Sequence, residues 1–209
     1  MNEASSPPAD LPPIPPGPPL LVVLSAPSGA GKDAVRDLLM SWHLPLHFAV
    51  TATTRPKRPE ERNGVDYHFL TDAEFDRLEA EDGLVERAVV YGQRKGVPKS
   101  EVLDPLAAGR DVIARVDVQG AATLKRLIPD ALLIFIAPPS LAEAQRRLEG
   151  RGTETDEQLR LRIAAAAQEM REAESFDHVI VNENGRIAAT AREIVRLIAE
   201  TKRARSTSR

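Results

Sequence analysis

The stretch SAPSGAGKD, residues 25–33, differs in two places from the common phosphate-binding pattern G-x-x-x-x-G-K-[ST]. Gly29 and Gly31 let backbone N–H groups approach phosphate oxygens, the following helix adds a partial positive charge, and Lys32 suits the outer phosphates. An apolar run ends directly before this loop and a helical pattern begins after it, which is the context that a phosphate loop requires. The loop residues that we predict to bind ATP are Ala26, Pro27, Ser28, Gly29, Ala30, Gly31, Lys32 and Asp33.

The two departures from the pattern differ in weight. Ala26 replaces the first glycine, which costs about 1 kcal/mol if its φ is positive and nothing if its φ is negative. Asp33 replaces a hydroxyl that reaches magnesium, and a carboxylate about 4 Å from a phosphate charge is repelled by roughly 4 kcal/mol unless a cation intervenes. Magnesium accepts carboxylate ligands, so Asp33 either faces Mg²⁺, directly or through water, or only caps the helix start.

A second group of polar residues follows in TATTRPKRPEERNGVDYHF, residues 51–69. Thr51, Arg55, Arg58 and Tyr67 bring two arginines and two hydroxyls into one turn-rich stretch, a set that can bind a phosphate. A solvated basic turn has the same composition. The stretch taken alone does not distinguish the two.

Four apolar runs, residues 20–25, 111–116, 131–137 and 178–182, are each followed by a segment with helical periodicity. Strands that alternate with helices predict an α/β fold with a parallel, doubly wound sheet. Residues 51–98 interrupt this rhythm with shorter strand-like pieces and one acidic helix, which predicts an inserted subdomain. Residues 147–165 are rich in arginine and polar, as expected of a helix–turn–helix lid.

The composition excludes several classes of protein. The chain has 209 residues, which fits one α/β domain with an insert, and its net charge of −3 gives no electrostatic footprint for nucleic acid. It has no cysteine, so disulfides, thiol catalysis and cysteine-bound zinc are excluded. No apolar run approaches the ~20 residues that span a bilayer. We therefore expect a soluble, cytoplasmic protein that binds no membrane and no nucleic acid.

Both ends of the chain are predicted to be disordered. Residues 1–19 contain eight of the 17 prolines in the chain. This density of proline favours an extended chain and excludes a helix. The last stretch, KRARSTSR, is basic and polar, and we expect residues 205–209 to fray. Neither end is expected to carry the chemistry, and deletion of residues 1–19 is expected to leave activity and stability nearly unchanged.

The order of the motifs S-G-A-G-K, T-T-R-x-x-R, N-G-V-D-Y-H-F, L-V-E, D-V-Q-G-A, R-L-E-G-R-G-T-E-T and V-N-E-N resembles that of guanylate kinases over about residues 20–200. The resemblance implies a P-loop three-layer αβα core with a parallel sheet, a GMP-binding insert and a helical lid. It also implies Mg²⁺-dependent transfer of a phosphoryl group from ATP to GMP or dGMP. The implied organisation is a core of residues 20–50, 99–146 and 166–204, an insert of residues 51–98, and a lid of residues 147–165. A monomer and a homo-oligomer are equally compatible with the sequence.

The resemblance also assigns roles to residues of the insert. Arg55, Arg58 and Tyr67 would hold the GMP phosphate, and Glu86 would accept hydrogen bonds from the guanine N1–H and 2-amino groups. A carboxylate suits guanine and repels the corresponding edge of adenine. Asp117 follows a core strand, and the resemblance places it between guanine recognition and the magnesium shell, so that Asp33 and Asp117 are the expected metal ligands.

In the core and lid, the resemblance assigns catalysis to Lys32, Arg147, Arg151 and Arg162, and ATP binding to Asn182. Phosphoryl transfer needs positioning and charge neutralisation, which lysine, arginine and magnesium supply. A solvated helix whose arginines pair with Glu149, Glu154 and Glu157 would have the same sequence, and both descriptions can hold together.

Three residues depart from the family pattern. Lys95 replaces a tyrosine that binds phosphate, and Val97 replaces a hydroxyl that helps to read guanine, which weakens selectivity by about 0.5–1.5 kcal/mol if nothing replaces it. We still expect both to line the substrate site. Arg115 stands where many members carry an acidic residue, and we hypothesise that it offsets the negative charge of Asp33.

Two alternative functions remain. A related kinase of the same fold phosphorylates ribose 1,5-bisphosphate, but a sugar acceptor has no use for the carboxylate of Glu86. A non-catalytic binding module of the guanylate-kinase type would typically lack the loop lysine and the lid arginines, which this chain has.

Overall fold

The structure, a computed structural model, describes residues 7–90, 92–150 and 156–207, and for Val90 and residues 156–158 it describes the backbone only. The strands are β1 (Leu21–Ser25), β2 (Leu46–Phe48), β3 (Ala52–Thr53), β4 (His68–Phe69), β5 (Leu84–Val90), β6 (Gln93–Pro98), β7 (Asp111–Arg115), β8 (Leu132–Ala137) and β9 (His178–Val181). The helices are α1 (Lys32–Ser41), α2 (Asp72–Ala80), α3 (Lys99–Ala107), α4 (Val118–Leu127), α5 (Leu141–Glu149), α6 (Asp156–Arg171) and α7 (Ile187–Thr207), and a short 3₁₀ helix covers Glu172–Ser175.

The main sheet has five strands in the order β2-β7-β1-β8-β9. β2 pairs with β7, and β8 pairs with β9, both in parallel. Every residue of β1, β7 and β8 is buried, as expected for central strands covered on both faces. The predicted α/β fold with a parallel sheet and flanking helices is confirmed.

Sequence reasoning missed two elements of this core. Helix α3 has a proline, Pro105, inside it, and proline normally argues against a helix because it removes a backbone donor. Pro105 is buried, and packing of its ring compensates for that loss. Strand β2 has three residues, too few for an alternating pattern to be visible in the sequence.

A second sheet of four strands, in the order β4-β3-β6-β5, lies within the stretch predicted as an insert. β5 and β6 form an antiparallel hairpin, β6 also pairs antiparallel with β3, and β3 pairs in parallel with β4. Thr71 is the N-cap of the acidic helix α2 and forms a capping box with Glu74, in which the side chain of each residue accepts a hydrogen bond from the backbone N–H of the other.

The chain folds as two compact units, and the division into a core, an insert and a lid stays a prediction. The first unit consists of residues 1–18, 24–45 and 132–209, and contains the phosphate loop with helices α1, α5, α6 and α7. The second consists of residues 19–23 and 46–131, and contains the four-stranded sheet with helices α2, α3 and α4. In the described part of the chain, no helix combines the length and apolar character needed to cross a membrane.

Both ends differ from the predicted disorder where the structure describes them. Residues 7–19 have no helix or strand, as their prolines predict, but Pro18 accepts a hydrogen bond from Lys202 and Asp10 pairs with Arg192. Helix α7 continues to Thr207, past the predicted end at residue 204. Lys202 is only 4% exposed, so one cation of these last turns is packed, while Arg203, Ser206 and Thr207 are exposed.

Candidate active site

The phosphate loop, residues 26–33, connects buried β1 to α1. Gly29 and Gly31 have φ angles of 85° and 89°, a region that residues with a Cβ rarely adopt. A Cβ on Gly29 would lie 2.5 Å from the backbone oxygen of Ala144, and one on Gly31 would lie 2.7 Å from Nδ2 of Asn182. Both glycines are therefore required by the backbone angle and by close packing.

The replacement of the first loop glycine by Ala26 carries no backbone strain. The described non-glycine residues with positive φ are His43 and Asp82, and Ala26 is not among them. Its methyl group is 6% exposed and packs in the core. The loop thus accepts alanine at this position without the cost that a left-handed conformation would add.

Asp33 lies in the first turn of α1 and is exposed, directly after half-buried Lys32. Its negative charge is favourable there because the N-terminal end of a helix is partially positive. An exposed carboxylate beside the loop lysine also fits as a ligand of a magnesium ion bound to nucleotide phosphates. The described residues contain no group of three or more His, Asp or Glu side chains arranged to hold a metal.

Arg147 lies on α5 and is hydrogen-bonded to the loop itself. Its guanidinium donates to the carbonyls of Gly29 and Ala30, at 3.5 and 3.3 Å. It also donates to the backbone oxygen of Asn182 at 3.0 Å and to Oδ1 of Asn184 at 2.6 Å. The structure therefore places this predicted catalytic arginine beside the phosphate loop, on helix α5.

The side chain of Asn182 supports the loop. It is 5% exposed, its Nδ2 donates to the carbonyl of Ala30 at 2.7 Å, and its Oδ1 accepts from Thr190 at 3.1 Å. Glu169 of α6 approaches from another side, where its carboxylate accepts the N–H of Ser28 at 3.3 Å. A carboxylate oxygen thus binds one of the loop donors that the sequence assigns to a phosphate.

Of the two other predicted catalytic arginines, the structure describes one. Arg151 lies outside the described residues. Arg162 is on α6 and half-buried. Its role in catalysis stays a prediction.

In the second unit, the predicted phosphate residues gather around Arg55. Its guanidinium donates through both terminal nitrogens to the carboxylate of Glu61, and both side chains are 12% exposed. Glu61 also accepts the backbone N–H of Arg58 at 2.8 Å. The hydrogen bonds from Arg55 hold the pKa of Glu61 below its usual value, and the same bonds raise the pKa of Arg55.

Aromatic rings flank these charges. The Arg55 guanidinium carbon lies 5.0 Å from the centroid of the Tyr67 ring and 5.2 Å from that of Phe69. Arg115 contacts the same Tyr67 ring, at 5.4 Å. Thr51 donates its hydroxyl to the backbone oxygen of Arg115 at 3.3 Å. Thr51, Arg55, Arg58 and Tyr67 are thus brought together, and their binding of a phosphate stays a prediction.

Glu86 lies on β5 and is 6% exposed, an unusual place for a carboxylate. Burial raises the pKa of Glu86 to about 7, the negative charge of Asp117 adds to this rise, and the charge of Lys95 opposes it. Asp117 caps α4, accepting the N–H of Gly120 at 2.8 Å. A carboxylate with a pKa near neutrality, buried between strands and a helix, is typical of a binding site.

Val97 and Lys95, the two departures on β6, lie close to Glu86. Val97 pairs with Glu86 across the hairpin and is 1% exposed, so its side chain packs in the core. Lys95 pairs with Ala88 and is half-buried, near enough to Glu86 to lower its pKa. Lys95 is therefore a cation close to Glu86, and its assignment to phosphate binding stays a prediction.

Two residues of this region escaped sequence reasoning. The sequence motifs assign no role to Glu61, whose contacts with Arg55 and Arg58 show that it helps to close the turn. They assign no role to Gly120 either. A Cβ on Gly120 would lie 3.0 Å from Cδ of Glu86, so glycine makes room for the carboxylate. A glycine within a helical pattern is the one signal that the sequence offered.

A sequence model of the family described as guanylate kinase matches residues 19–200. Guanylate kinase from Gloeobacter violaceus is 45% identical over 180 residues, which cover 86% of this chain and 87% of that protein. Guanylate kinase 2, chloroplastic/mitochondrial, from rice (Oryza sativa subsp. japonica) is 42% identical over 185 residues, and the match covers 88% of this chain but 65% of that longer protein. The solved structure of guanylate kinase from Anaplasma phagocytophilum superimposes with a TM-score of 0.73 at 30% identity, covering 88% of this chain and 86% of that one.

A parallel sheet with a glycine-rich loop at a helix start, together with these matches, defines a P-loop nucleoside monophosphate kinase. Within that class the chain belongs to the guanylate kinase family.

Proposed function

We propose that this protein is a guanylate kinase that transfers the γ-phosphoryl group of ATP to GMP or dGMP, giving ADP and GDP or dGDP. The observation that carries the proposal is the buried carboxylate of Glu86 in the same compact unit as the Arg55–Tyr67 group. A nucleotide with a guanine base and one phosphate needs both of these features. The named relatives and the matching structure support the same reaction.

On the acceptor side, Glu86 would accept hydrogen bonds from the N1–H and 2-amino groups of guanine. The raised pKa of Glu86 means that the carboxylate titrates near neutrality, so the donors of guanine also favour its ionised form. Arg55 and Tyr67 would bind the phosphate, with Arg58 and Thr51 beside them. Arg55 also donates to the backbone oxygen of Pro56 at 2.9 Å, and because a guanidinium has five N–H donors, a phosphate would share Arg55 with Glu61 and Pro56.

On the donor side, the N–H groups of the phosphate loop and Lys32 would bind the phosphates of ATP, with Asn182 fixing the loop. Asp33 would be the ligand that this loop offers to Mg²⁺, and Asp117 is a second expected ligand. Bound Mg²⁺ would neutralise phosphate charge during transfer. Arg147 lies at the loop and would stabilise the negative charge that develops on the transferred group, with Arg151 and Arg162. We expect this reaction in the cytoplasm, since a chain without cysteine fits a reducing compartment.

A coupled assay with ATP, Mg²⁺ and four acceptors tests the proposal: GMP, dGMP, AMP and ribose 1,5-bisphosphate. We expect turnover with GMP and dGMP, and little with the other two. Glu86→Gln should lower kcat/KM for GMP about 10- to 100-fold and leave the KM for ATP unchanged, because hydrogen bonds to a charged acceptor contribute about 1.5–3 kcal/mol.

Other outcomes of the same assay would contradict the proposal. Turnover of ribose 1,5-bisphosphate in preference to GMP would indicate the sugar kinase. A lack of turnover with all four acceptors, by protein that binds GMP, would indicate a binding module. Lys32→Met is the matched control, since it should abolish turnover of every acceptor alike.

A further inference from the structure

Arg115 is a charged residue in an unusual place. It ends β7, in which every residue is buried, and is itself 7% exposed. Burying a guanidinium is costly unless nearby groups compensate. The family resemblance leaves this residue without a role, because many members carry an acidic residue there.

Arg115 contacts the residues that are predicted to bind the phosphate of the acceptor. Its Nη2 donates to the backbone oxygen of Asp66 at 3.1 Å, directly before Tyr67. Its guanidinium carbon lies 5.4 Å from the Tyr67 ring centroid, and that of Arg55 lies 5.0 Å from the same centroid. Its own backbone oxygen accepts the hydroxyl of Thr51.

The guanidinium groups of Arg55 and Arg115 each lie near the ring of Tyr67. An anion bound beside two such cations is attracted by both of them. Arginine presents several donors in a planar fork that matches phosphate oxygens. Together with Tyr67 and Thr51, the two arginines offer more donors to a phosphate than the residues that the sequence motifs define.

We propose that Arg115 is a further binding residue for the phosphate of the acceptor nucleotide. The inference rests on the proposed function, since it names an additional ligand of the same acceptor. The side chain of Arg115 contacts Asp66 and Tyr67, which supports this role, and the hypothesis that Arg115 offsets the charge of Asp33 stays a prediction. The positive charge of Arg115, in place of the acidic residue of many family members, would then strengthen the binding of a dianionic phosphate.

The test is a comparison of GMP and guanosine binding by NMR titration, with wild-type protein, Arg115→Met and Arg115→Lys. We expect Arg115→Met to raise the Kd for GMP about 10- to 100-fold and to leave the Kd for guanosine unchanged, because only GMP carries a phosphate. Arg115→Lys should recover part of the GMP affinity, since it keeps the charge but loses the fork.

A matched control is Arg94→Met, which removes another guanidinium stacked on an aromatic ring of the same unit, 4.4 Å from the centroid of Phe75. It should leave both affinities unchanged. An unchanged GMP affinity in Arg115→Met would overturn the inference. So would equal weakening of GMP and guanosine, which would mean that Arg115 only shapes the pocket. If wild-type protein binds and phosphorylates GMP in either of these cases, the proposed function stands while the inference fails.

Discussion

At the scale of single residues, the acceptor side depends on charges held away from water. Glu86 is the clearest example, since burial and the neighbouring carboxylate of Asp117 both raise its pKa, to about 7. Burial favours the protonated form of Glu86 in the ligand-free protein, whereas the proposed hydrogen bonds from guanine would favour the ionised form. GMP binding should therefore release protons near neutral pH.

The stability of the ligand-free protein should show the same titration. Because the pKa of Glu86 is raised from 4.5 to about 7 in the folded state, folding takes up protons between these values. The free energy of unfolding should therefore fall by up to about 3 kcal/mol as pH rises through this window, relative to that of Glu86→Gln. Urea unfolding of both proteins across this pH range measures the difference.

Lys95→Met provides a second arm of this experiment. Lys95 lowers the pKa of Glu86, so its removal should extend the fall to higher pH. Parallel stability curves for the wild-type protein and Glu86→Gln would show that Glu86 does not titrate in this window.

At the scale of elements, the carboxylate of Glu61 helps to close the turn at residues 55–61, together with the hydrogen bond from Nζ of Lys57 to the backbone oxygen of Glu61. Glu61 accepts hydrogen bonds from the guanidinium of Arg55 and from the backbone N–H of Arg58. The turn therefore presents Arg55 against the Tyr67 and Phe69 rings in a fixed direction. Orientation of a binding arginine by a side chain that is not itself a ligand is a common way to prepare a site.

Glu61→Ala should disturb this turn more than its charge alone would suggest. We expect a loss of about 1–3 kcal/mol in the free energy of unfolding, because half-buried Arg55 loses its partner, and a rise in the KM for GMP. The KM for ATP should not change. Thermal unfolding and steady-state kinetics measure the two effects.

Glu60→Ala is the matched control for this turn, since Glu60 is its exposed neighbour. Equal behaviour of the two variants would show that the Arg55–Glu61 pair is a surface ion pair of little consequence.

At the scale of the whole molecule, the proline-rich segment is part of the folded first unit. Lys202 of α7 is 4% exposed and donates to the carbonyl of Pro18 at 3.4 Å, and Asp10 pairs with Arg192 of the same helix. The segment has no regular secondary structure, yet it contacts this helix. We therefore expect that its deletion lowers stability, in contrast to the neutral effect expected from the sequence.

Deletion of residues 1–18 should lower the free energy of unfolding by about 1–3 kcal/mol, equivalent to several degrees in Tm. GMP turnover at low temperature should be retained, because the described contacts of the segment, with Lys202 and Arg192, are on α7. Thermal unfolding of the full and shortened chains measures the loss. Asp10→Asn, which removes an exposed ion pair at 3.6 Å, should have almost no effect. An identical Tm for the shortened and full chains would restore the picture of an inert tail.

The fold was predictable because its central strands are nearly uninterrupted apolar runs, such as residues 132–137, each followed by a helical pattern. The phosphate loop was predictable because Gly29, Gly31 and Lys32 stand at fixed spacing after such a strand. Long-range contacts were not. Nothing local to Glu61, Gly120 or Lys202 shows which distant groups will pack against them, since these contacts depend on how separate elements meet. The course of α7 beyond residue 204 was missed for the same reason, because its polar composition resembles that of a solvated end.

The close approach of Gly29 to Ala144 bears on how ATP binding is driven. A backbone oxygen of α5 leaves no room for a side chain at residue 29. The side chain of Asn182 likewise leaves no room for one at residue 31. The loop is thereby held in shape by the folded protein rather than by its ligand. The entropy lost in ordering it belongs to folding, so nucleotide binding need not include that cost. Calorimetry of ATP binding should accordingly show a smaller entropic penalty than a loop that orders on its ligand would give.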